Sequence, residues 1–397
     1  MDRERVVGCL LGLALGDAVG APFEFRRRED VPDPLPALEL PWAGGPAGTW
    51  TDDTAMARNL WRSLAEHRAL RTDDVLRRHL EWLATDPPDV GNLMRRVLGW
   101  HRDGVPDAAA RYVRERGPEV SAGNGSVMYC APLGAFRAGR SELLFDEAPA
   151  LSAITHGDER CRTACLAVTL AAAGLVRGED PRSVVPEVLA AVADRDGGEE
   201  LEYLAAEAGR ARRVDGPDMG FALFTAGIAL QVAAEAPTYE EGVRHVVALG
   251  GDTDTNAAVT GALLGALHGR GGLPTAWLER LADGEALEIE AWALAAAGSC
   301  SADTRCIRER SASPLASRPR IVEDDRMPMQ PNEIFELIVS ADEKLKYATA
   351  ERTDARRRQA VDLLTRARDA AREIGNEGLV QQAELRLADL GERPTEP

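Results

Sequence analysis

Residues 250–267 read GGDTDTNAAVTGALLGAL, and this stretch decides the fold that the sequence predicts. Two glycines indicate a turn, Asp and Thr then alternate, and the apolar positions from Ala257 to Leu267 follow at helical spacing. Small and straight-chain residues of this kind favour closely packed helices over β-strands. The stretch therefore predicts a buried helix whose N-terminal end is acidic.

The rest of the chain has the same character. Hydrophobic residues make up 45% of the 397 residues and aromatic residues only 5%, and strand patterns are nearly absent. Apolar residues recur at helical spacing in Val6–Val19, Ala55–Leu64, Val75–Leu83, Leu93–Trp100, Cys161–Val176, Val184–Val192, Phe221–Ala234, Tyr239–Leu249, Asn256–Leu267 and Leu287–Ala297. We therefore predict an all-α fold, an orthogonal bundle of many helices covering residues 1–298.

The C-terminal quarter of the chain has a different composition. Residues 299–331 mix Ser, Pro, Arg and Asp without periodicity, which predicts an exposed linker. Apolar stripes return in Asn332–Ala348 and Asp354–Leu390, so residues 332–397 predict a small helical hairpin. The hairpin faintly resembles a tetratricopeptide unit, but one unit makes no repeat array. We expect it to recruit a protein partner, to mediate self-association or to cap the larger domain.

Charge and cysteine content narrow the class of protein. The net charge of -18 disfavours nucleic acids and anionic membranes as partners and helps to concentrate divalent cations. Six cysteines in a chain of this length are no disulfide framework, so we expect a cytoplasmic protein. The apolar stretch Val6–Ala14 is similar to a signal-peptide core, but Asp2 and Glu4 cancel the positive charge before it. The apolar stretches 164–176 and 257–267 are shorter than the ~20 residues of a membrane span.

Two acidic clusters each precede a predicted helix. Thr51-Asp52-Asp53 comes before one, and Asp252-Thr253-Asp254-Thr255 before the other. An N-terminal helix cap explains each cluster by itself, because hydroxyl and carboxylate oxygens accept from free backbone N–H groups. Both clusters carry more acid than a cap requires, and carboxylate and hydroxyl oxygens are the ligands that Mg²⁺ prefers. Together they predict one shared site for divalent cations.

Three further motifs carry polar chemistry. Glu24 is a lone acid among apolar neighbours, which suits a surface residue, a metal ligand or a general base. The glycines of Ser121-Ala122-Gly123-Asn124-Gly125-Ser126 allow backbone N–H groups to approach a phosphate, although a bare turn has the same pattern. His156 precedes a helix with Cys161 and Cys165, whose spacing does not suit zinc.

In chain order these five motifs resemble the ADP-ribosylglycohydrolase family, the ADP-ribosyl-acceptor hydrolases related to the enzyme that reactivates dinitrogenase reductase. The resemblance spans about residues 3–298 and implies an all-α bundle around a binuclear Mg²⁺ centre, in which Mn²⁺ is the alternative metal. It implies that Glu24 lies by the metals and assists catalysis, and that His156 lies beside the ligand. The implied metal ligands are Thr51, Asp52, Asp53, Asp252, Asp254 and Thr255. The implied loop around the phosphates and ribose of ADP-ribose is Ser121, Gly123, Asn124, Gly125 and Ser126.

The resemblance also implies a reaction. We expect Mg²⁺-dependent hydrolysis of the glycosidic bond between ADP-ribose and an acceptor on a protein or small molecule, with Glu24, Asp52 or Asp53 taking a proton from the attacking water. Two alternatives are the hydrolysis of a free derivative such as O-acetyl-ADP-ribose and non-catalytic binding of ADP-ribose.

Two positions depart from the family's pattern. Tyr129 follows Met128 where Arg is common, and Ser121 stands where some arginine-specific relatives have Asp. The second departure weakens the case for ADP-ribosylarginine as substrate.

Overall fold

A computed structural model describes residues 2–298 and 353–374, together with residues 376, 379–380, 383–384 and 387. Its α-helices are α1 (Arg3–Gly20), α2 (Asp52–His67), α3 (Thr72–Leu83), α4 (Asn92–Arg102), α5 (Ala108–Arg116), α6 (Ala131–Phe136), α7 (Leu144–Ser152), α8 (Glu159–Val176), α9 (Pro181–Val192), α10 (Gly198–Glu207), α11 (Ala222–Glu235), α12 (Tyr239–Val247), α13 (Thr253–His268), α14 (Thr275–Leu278), α15 (Gly284–Gly298) and α16 (Thr353–Glu373). Within these residues the only β-structure is a few isolated bridges. The predicted all-α fold is confirmed.

Helices α1 and α13 form the centre of the bundle, and their backbones touch. Every fourth residue of α1 from Gly8 to Gly20 is glycine. A Cβ atom at Gly12 would lie 2.3 Å from the carbonyl oxygen of Gly261, and one at Gly16 would lie 2.0 Å from that of Ala257. The pairing runs in opposite directions along the two helices, so they are antiparallel. The C-terminal end of α1 therefore lies beside the N-terminal end of α13.

Helix α1 is buried over nearly its whole length. Arg3–Phe23 is longer than the apolar stretches considered above, and by length and composition alone it could cross a membrane. Inside the protein 94% of its most apolar window is buried, because α1 packs against α13, α15 and α6. This core position accounts for its apolar character.

Contacts divide the chain into two compact units, Met1–Ser301 and Ala302–Pro397. In the second unit, Leu364 and Ala367 of α16 are buried in a small core together with Ala383 and Leu387. The predicted linker 299–331 and the predicted helix Asn332–Ala348 lie outside the described residues. All of the candidate site residues belong to the first unit.

Candidate metal centre

The first acidic cluster lies at the beginning of α2 and is held there by Asp17 of α1. The fully buried Asp17 carboxylate accepts from the backbone N–H of Thr51 at 3.0 Å, from the N–H of Thr54 at 2.9 Å and from the Thr54 hydroxyl at 2.5 Å. The Thr51 hydroxyl donates to Asp53 Oδ2 at 3.0 Å. Asp17 thus satisfies N–H groups that the first turn of a helix leaves free, and it fixes the backbone on either side of Asp52 and Asp53.

The second acidic cluster lies at the beginning of α13, after two glycines that both have positive φ angles, 72° for Gly250 and 80° for Gly251. Only glycine adopts this conformation readily, and a Cβ atom at Gly251 would also lie 2.4 Å from the Val214 carbonyl oxygen. The Thr253 hydroxyl donates to the carbonyl of Gly20, the last residue of α1, at 2.8 Å. The turn is therefore locked against the end of α1.

The two clusters meet, as the sequence predicted. The Thr255 hydroxyl donates to Asp53 Oδ2 at 3.3 Å across 202 residues of sequence. A carboxylate oxygen from each of Glu24, Asp89 and Asp254 lies within 4.8 Å of the other two. The backbone N–H of Phe25 donates to the Gly251 carbonyl at 2.7 Å, which places Glu24 beside the start of α13.

These carboxylates lie close together and are buried, and both effects raise their pKa values. Burial raises the pKa of Glu24 well above its usual range, and the carboxylate of Asp89 raises it further. Burial also raises the pKa of Asp254, with Glu24 as the next cause, and that of Asp53, with Asp17 as the next cause. Within the described residues, the Oδ1 atoms of Asp53 and Asp254 are buried and accept no hydrogen bond. Orphaned oxygens in a group of acids fit one or more divalent cations.

The loop around Asn124 closes another side of the same centre. Asn124 Nδ2 donates to Asp252 Oδ2 at 2.9 Å and to the Thr225 hydroxyl at 3.0 Å. The Asn124 N–H donates to the Gly220 carbonyl at 2.9 Å, which ties the loop to the segment before α11. The predicted phosphate loop and the second acidic cluster are therefore in direct contact.

The two serines of this loop point into the protein. Ser121 is 1% exposed and its hydroxyl donates to the Gly117 carbonyl. Ser126 is fully buried, and its hydroxyl lies 2.9 Å from that of Ser152. The thiol of Cys161 donates to the Gly123 carbonyl at 3.2 Å, so α8 supports the loop from below. The accessible parts of the loop are Gly123 and Gly125, whereas Asn124 is buried behind them against Asp252.

His156 lies against the same loop. A Cβ atom at Gly125 would lie 2.9 Å from Cε1 of its ring. Burial lowers the pKa of His156 to about 3, although Asp158 opposes the shift, so the imidazole is neutral. With Glu24 and the acidic clusters, the structure brings all of the predicted site residues to one region.

Two acids of this region were not predicted. Asp17 was not singled out, although a carboxylate within an apolar helix is unusual and is itself a signal. Asp89 follows Pro87 and Pro88 in a loop and gave no signal beyond its charge. Burial and, next to it, the carboxylate of Asp17 raise the pKa of Asp89 to about 6.

The fold and the site define a class of protein, an all-α protein with a buried centre of carboxylates where two helices begin. A sequence model described as ADP-ribosylglycohydrolase matches residues 1–304. The chain belongs to this family, which is one of hydrolases that act on ADP-ribosylated substrates.

Individual relatives agree with this assignment. The ADP-ribosyl-dinitrogen reductase glycohydrolase of Rhodospirillum rubrum is 29% identical over 284 residues, which cover 70% of this chain and 90% of the relative. The ADP-ribosylarginine hydrolase Tri1 of Pseudomonas putida is 28% identical over 70% of this chain and 74% of its own length. A solved structure described as an ADP-ribosylglycohydrolase-related protein complex is 31% identical with a TM-score of 0.64, and it matches 75% of this chain and 98% of that chain.

Proposed function

We propose that this protein hydrolyses the bond between ADP-ribose and an acceptor, and that it depends on Mg²⁺ held by its two acidic clusters. The observation that carries the proposal is the contact of Asp53 with Thr255, which joins clusters 202 residues apart. Family membership supports the reaction type, and the buried carboxylates support the metal. Mn²⁺ prefers the same oxygen ligands and is the alternative cation.

We infer two divalent cations from the family resemblance, and the residues present supply oxygen ligands for them from two helices. Thr51, Asp52 and Asp53 would hold cations from the side of α2, and Asp252, Asp254 and Thr255 would do so from the side of α13. Bound there, the cations would supply Lewis-acid stabilisation of charge and a template for the ribose hydroxyls.

The remaining steps belong to the side chains themselves. Glu24 is half-buried, and burial and Asp89 raise its pKa. A carboxylate oxygen of Glu24 lies within 4.8 Å of carboxylate oxygens of Asp89 and Asp254, so Glu24 is placed beside the acidic clusters to take a proton from the attacking water. Asn124 is fixed by Asp252 and Thr225 and orients the substrate through its loop. The substrate is thereby held still while its glycosidic bond breaks through an oxocarbenium-like state.

Replacing Asp52 and Asp53 together with Asn tests the proposal. The chain supplies a matched control, because Thr72-Asp73-Asp74 repeats the tripeptide Thr51-Asp52-Asp53 at the beginning of α3. There the exposed Asp73 pairs with Arg71, and the less exposed Asp74 pairs with Arg77 and Arg78. We expect the first double variant to lose Mg²⁺-dependent release of ADP-ribose by about a thousandfold.

Release is measured by chromatography of free ADP-ribose with Mg²⁺ and with EDTA. The Asp73→Asn/Asp74→Asn control should keep its turnover. Full turnover by the Asp52→Asn/Asp53→Asn variant would remove the acidic clusters from the mechanism.

The acceptor is the finer part of the proposal. The buried Ser121 hydroxyl is bonded to the Gly117 carbonyl and cannot supply the acid and base chemistry of a carboxylate. We therefore favour an O-linked acceptor, on a protein or in a small molecule such as O-acetyl-ADP-ribose, over an arginine linkage. Rates on arginine-, serine- and O-acetyl-linked ADP-ribose decide this, and fastest cleavage of the arginine linkage contradicts it.

A further inference from the structure

Tyr129, Thr155 and His156 form a chain of hydrogen-bonding groups behind the Asn124 loop. The Tyr129 hydroxyl lies 3.4 Å from Thr155 Oγ1, which lies 3.0 Å from Nδ1 of His156. Tyr129 and Thr155 are fully buried and His156 is 2% exposed. Buried donors and acceptors of this kind need partners, so their protons can be assigned by counting.

The count begins at the tyrosine. Burial raises the pKa of Tyr129, so the phenol keeps its proton, and Thr155 Oγ1 is its one hydrogen-bonding partner within the described residues. Tyr129 therefore donates to Thr155, whose own proton then goes to Nδ1 of His156. The reverse direction would leave the Tyr129 proton buried without an acceptor. If Thr155 Oγ1 instead accepted from both Tyr129 and His156, its own proton would have no acceptor within the described residues.

The direction of the Thr155 hydrogen bond decides which nitrogen of the His156 ring carries the proton. Nδ1 of His156 accepts, and the imidazole is neutral because burial lowers its pKa to about 3. The single ring proton is therefore on Nε2. This atom faces the loop, since a Cβ atom at Gly123 would lie 3.5 Å from it and one at Gly125 would lie 3.3 Å from it.

The tyrosine is itself held in position. Its ring meets the ring of His79 edge-on, with centroids 5.1 Å apart and planes at 72°. His79 lies on α3 and is fully buried. Tyr129 is also the residue at which the loop departs from the Met-Arg pattern of the family, so the group behind the loop here is a neutral donor.

We propose that Tyr129 and Thr155 are positioning residues that fix His156 as the tautomer protonated on Nε2, so that this N–H donates to an anionic oxygen of the bound ADP-ribosyl group. The identity of the ligand rests on the proposed function, whereas the tautomer does not. A substrate phosphate would then accept from an N–H group of His156 that is already oriented, and no proton of the ring would have to move first.

The tautomer can be measured directly by NMR. In full-length protein labelled with ¹⁵N-histidine, long-range ¹H–¹⁵N spectra distinguish protonated from bare ring nitrogens. The chain has six histidines, and the loss of one set of signals in His156→Gln assigns His156. We expect a bare Nδ1 and a protonated Nε2 in the wild type, and a mixture of tautomers in Thr155→Val.

Two further variants guard against a purely structural explanation. Thr169→Val is the matched control, because Thr169 is equally buried and its hydroxyl donates to Leu166 within α8; it should leave the His156 signals unchanged. Tyr129→Phe removes the first donor and should produce a smaller shift towards Nδ1 protonation. The proposal is overturned if His156 of the wild type is protonated on Nδ1, or if neither Thr155→Val nor Tyr129→Phe changes the His156 signals.

Calorimetry with ADP-ribose and Mg²⁺ completes the test. Thr155→Val should bind ADP-ribose about tenfold more weakly, as expected for one lost oriented hydrogen bond, while Thr169→Val should match the wild type. Equal affinity of Thr155→Val and the wild type would overturn the role of the N–H in binding. Absence of binding by the wild type would overturn the proposed function instead, and the NMR result would still decide the tautomer.

Discussion

Asp254 shows the electrostatic state of the centre in a single side chain. Burial raises its pKa, and the carboxylates of Glu24 and Asp252 raise it further. Its Oδ1 atom accepts no hydrogen bond within the described residues. A buried charge without a partner destabilises the folded state. The arrangement that suits a cation therefore weakens the protein when no cation is bound.

The consequence is a prediction about Asp254→Asn. In EDTA we expect the variant to be more stable than the wild type by about 1 kcal/mol, because a neutral amide removes repulsion at a functional site. In Mg²⁺ the order should reverse, since only the wild type gains stability from binding the ion. Thermal unfolding followed by circular dichroism in EDTA and in Mg²⁺ measures both.

Asp73→Asn provides the comparison for this experiment. Asp73 is exposed and is paired with Arg71, so its replacement should alter the Tm slightly and equally in both buffers. If Asp254→Asn lowers the Tm in EDTA, the carboxylate contributes more through its contacts than it costs through repulsion.

The types of side chain predicted that the acidic clusters could bind a metal. How deeply each cluster is buried depends on tertiary structure. Thr51-Asp52-Asp53 and Thr72-Asp73-Asp74 are the same tripeptide at two helix beginnings. Asp17 binds the first from inside the bundle, whereas both acids of the second pair with arginines, the exposed Asp73 with Arg71 and the largely buried Asp74 with Arg78. Local sequence cannot separate the two, and only the ordered set of motifs distant in the chain did so.

At the scale of elements, the contact between α1 and α13 positions the centre. A Cβ atom at Gly12 would lie 2.3 Å from the Gly261 carbonyl oxygen, which is backbone and cannot rotate away. We expect Gly12→Ala to separate the helices and to lower the free energy of unfolding by about 1–3 kcal/mol or more. Urea denaturation followed by fluorescence measures the loss.

Gly99→Ala is the matched control for the glycine contact. Gly99 lies in the last turn of α4, and a Cβ atom there would meet nothing within 4 Å. Alanine is the better helix former, so this variant should gain about 0.5–1 kcal/mol. Equal effects of the two substitutions would mean that the close approach of α1 and α13 contributes nothing.

The long helices could be predicted, and several short ones could not. Periodicity identified α2 and α13 because each presents a continuous apolar pattern over at least ten residues. Helix α6 is six residues long and buried on every side, so it has no polar face to create a period. Helix α7 has Pro149 inside it, which reads as a break. Neighbouring helices stabilise such segments, and single-sequence patterns do not record those neighbours.

For the whole molecule, the division into two units yields a prediction about truncation. All of the centre lies between Asp17 and Thr255, in the first unit. Deletion of residues 321–397 should leave kcat/KM on a small ADP-ribosyl substrate within about twofold, because no group of the site is removed. A parallel assay on an ADP-ribosylated protein shows whether the deleted part recruits a partner. A large loss of kcat/KM on the small substrate would mean that the second unit is needed to keep the site intact.

The cytoplasmic location and the choice of Mg²⁺ over Mn²⁺ stay predictions. The net charge of -18 attracts both divalent cations equally.

The contact between α1 and α13 also determines when the protein can fold during its synthesis. Gly20 and Thr253 bond across 233 residues, which a ribosome adds in roughly 10–50 s at common elongation rates. Throughout that interval α1, apolar on all sides, has left the ribosome without the helix that covers it. A nascent chain is therefore exposed to aggregation or to capture by chaperones once α1 has emerged, and the centre forms only after α13 has emerged.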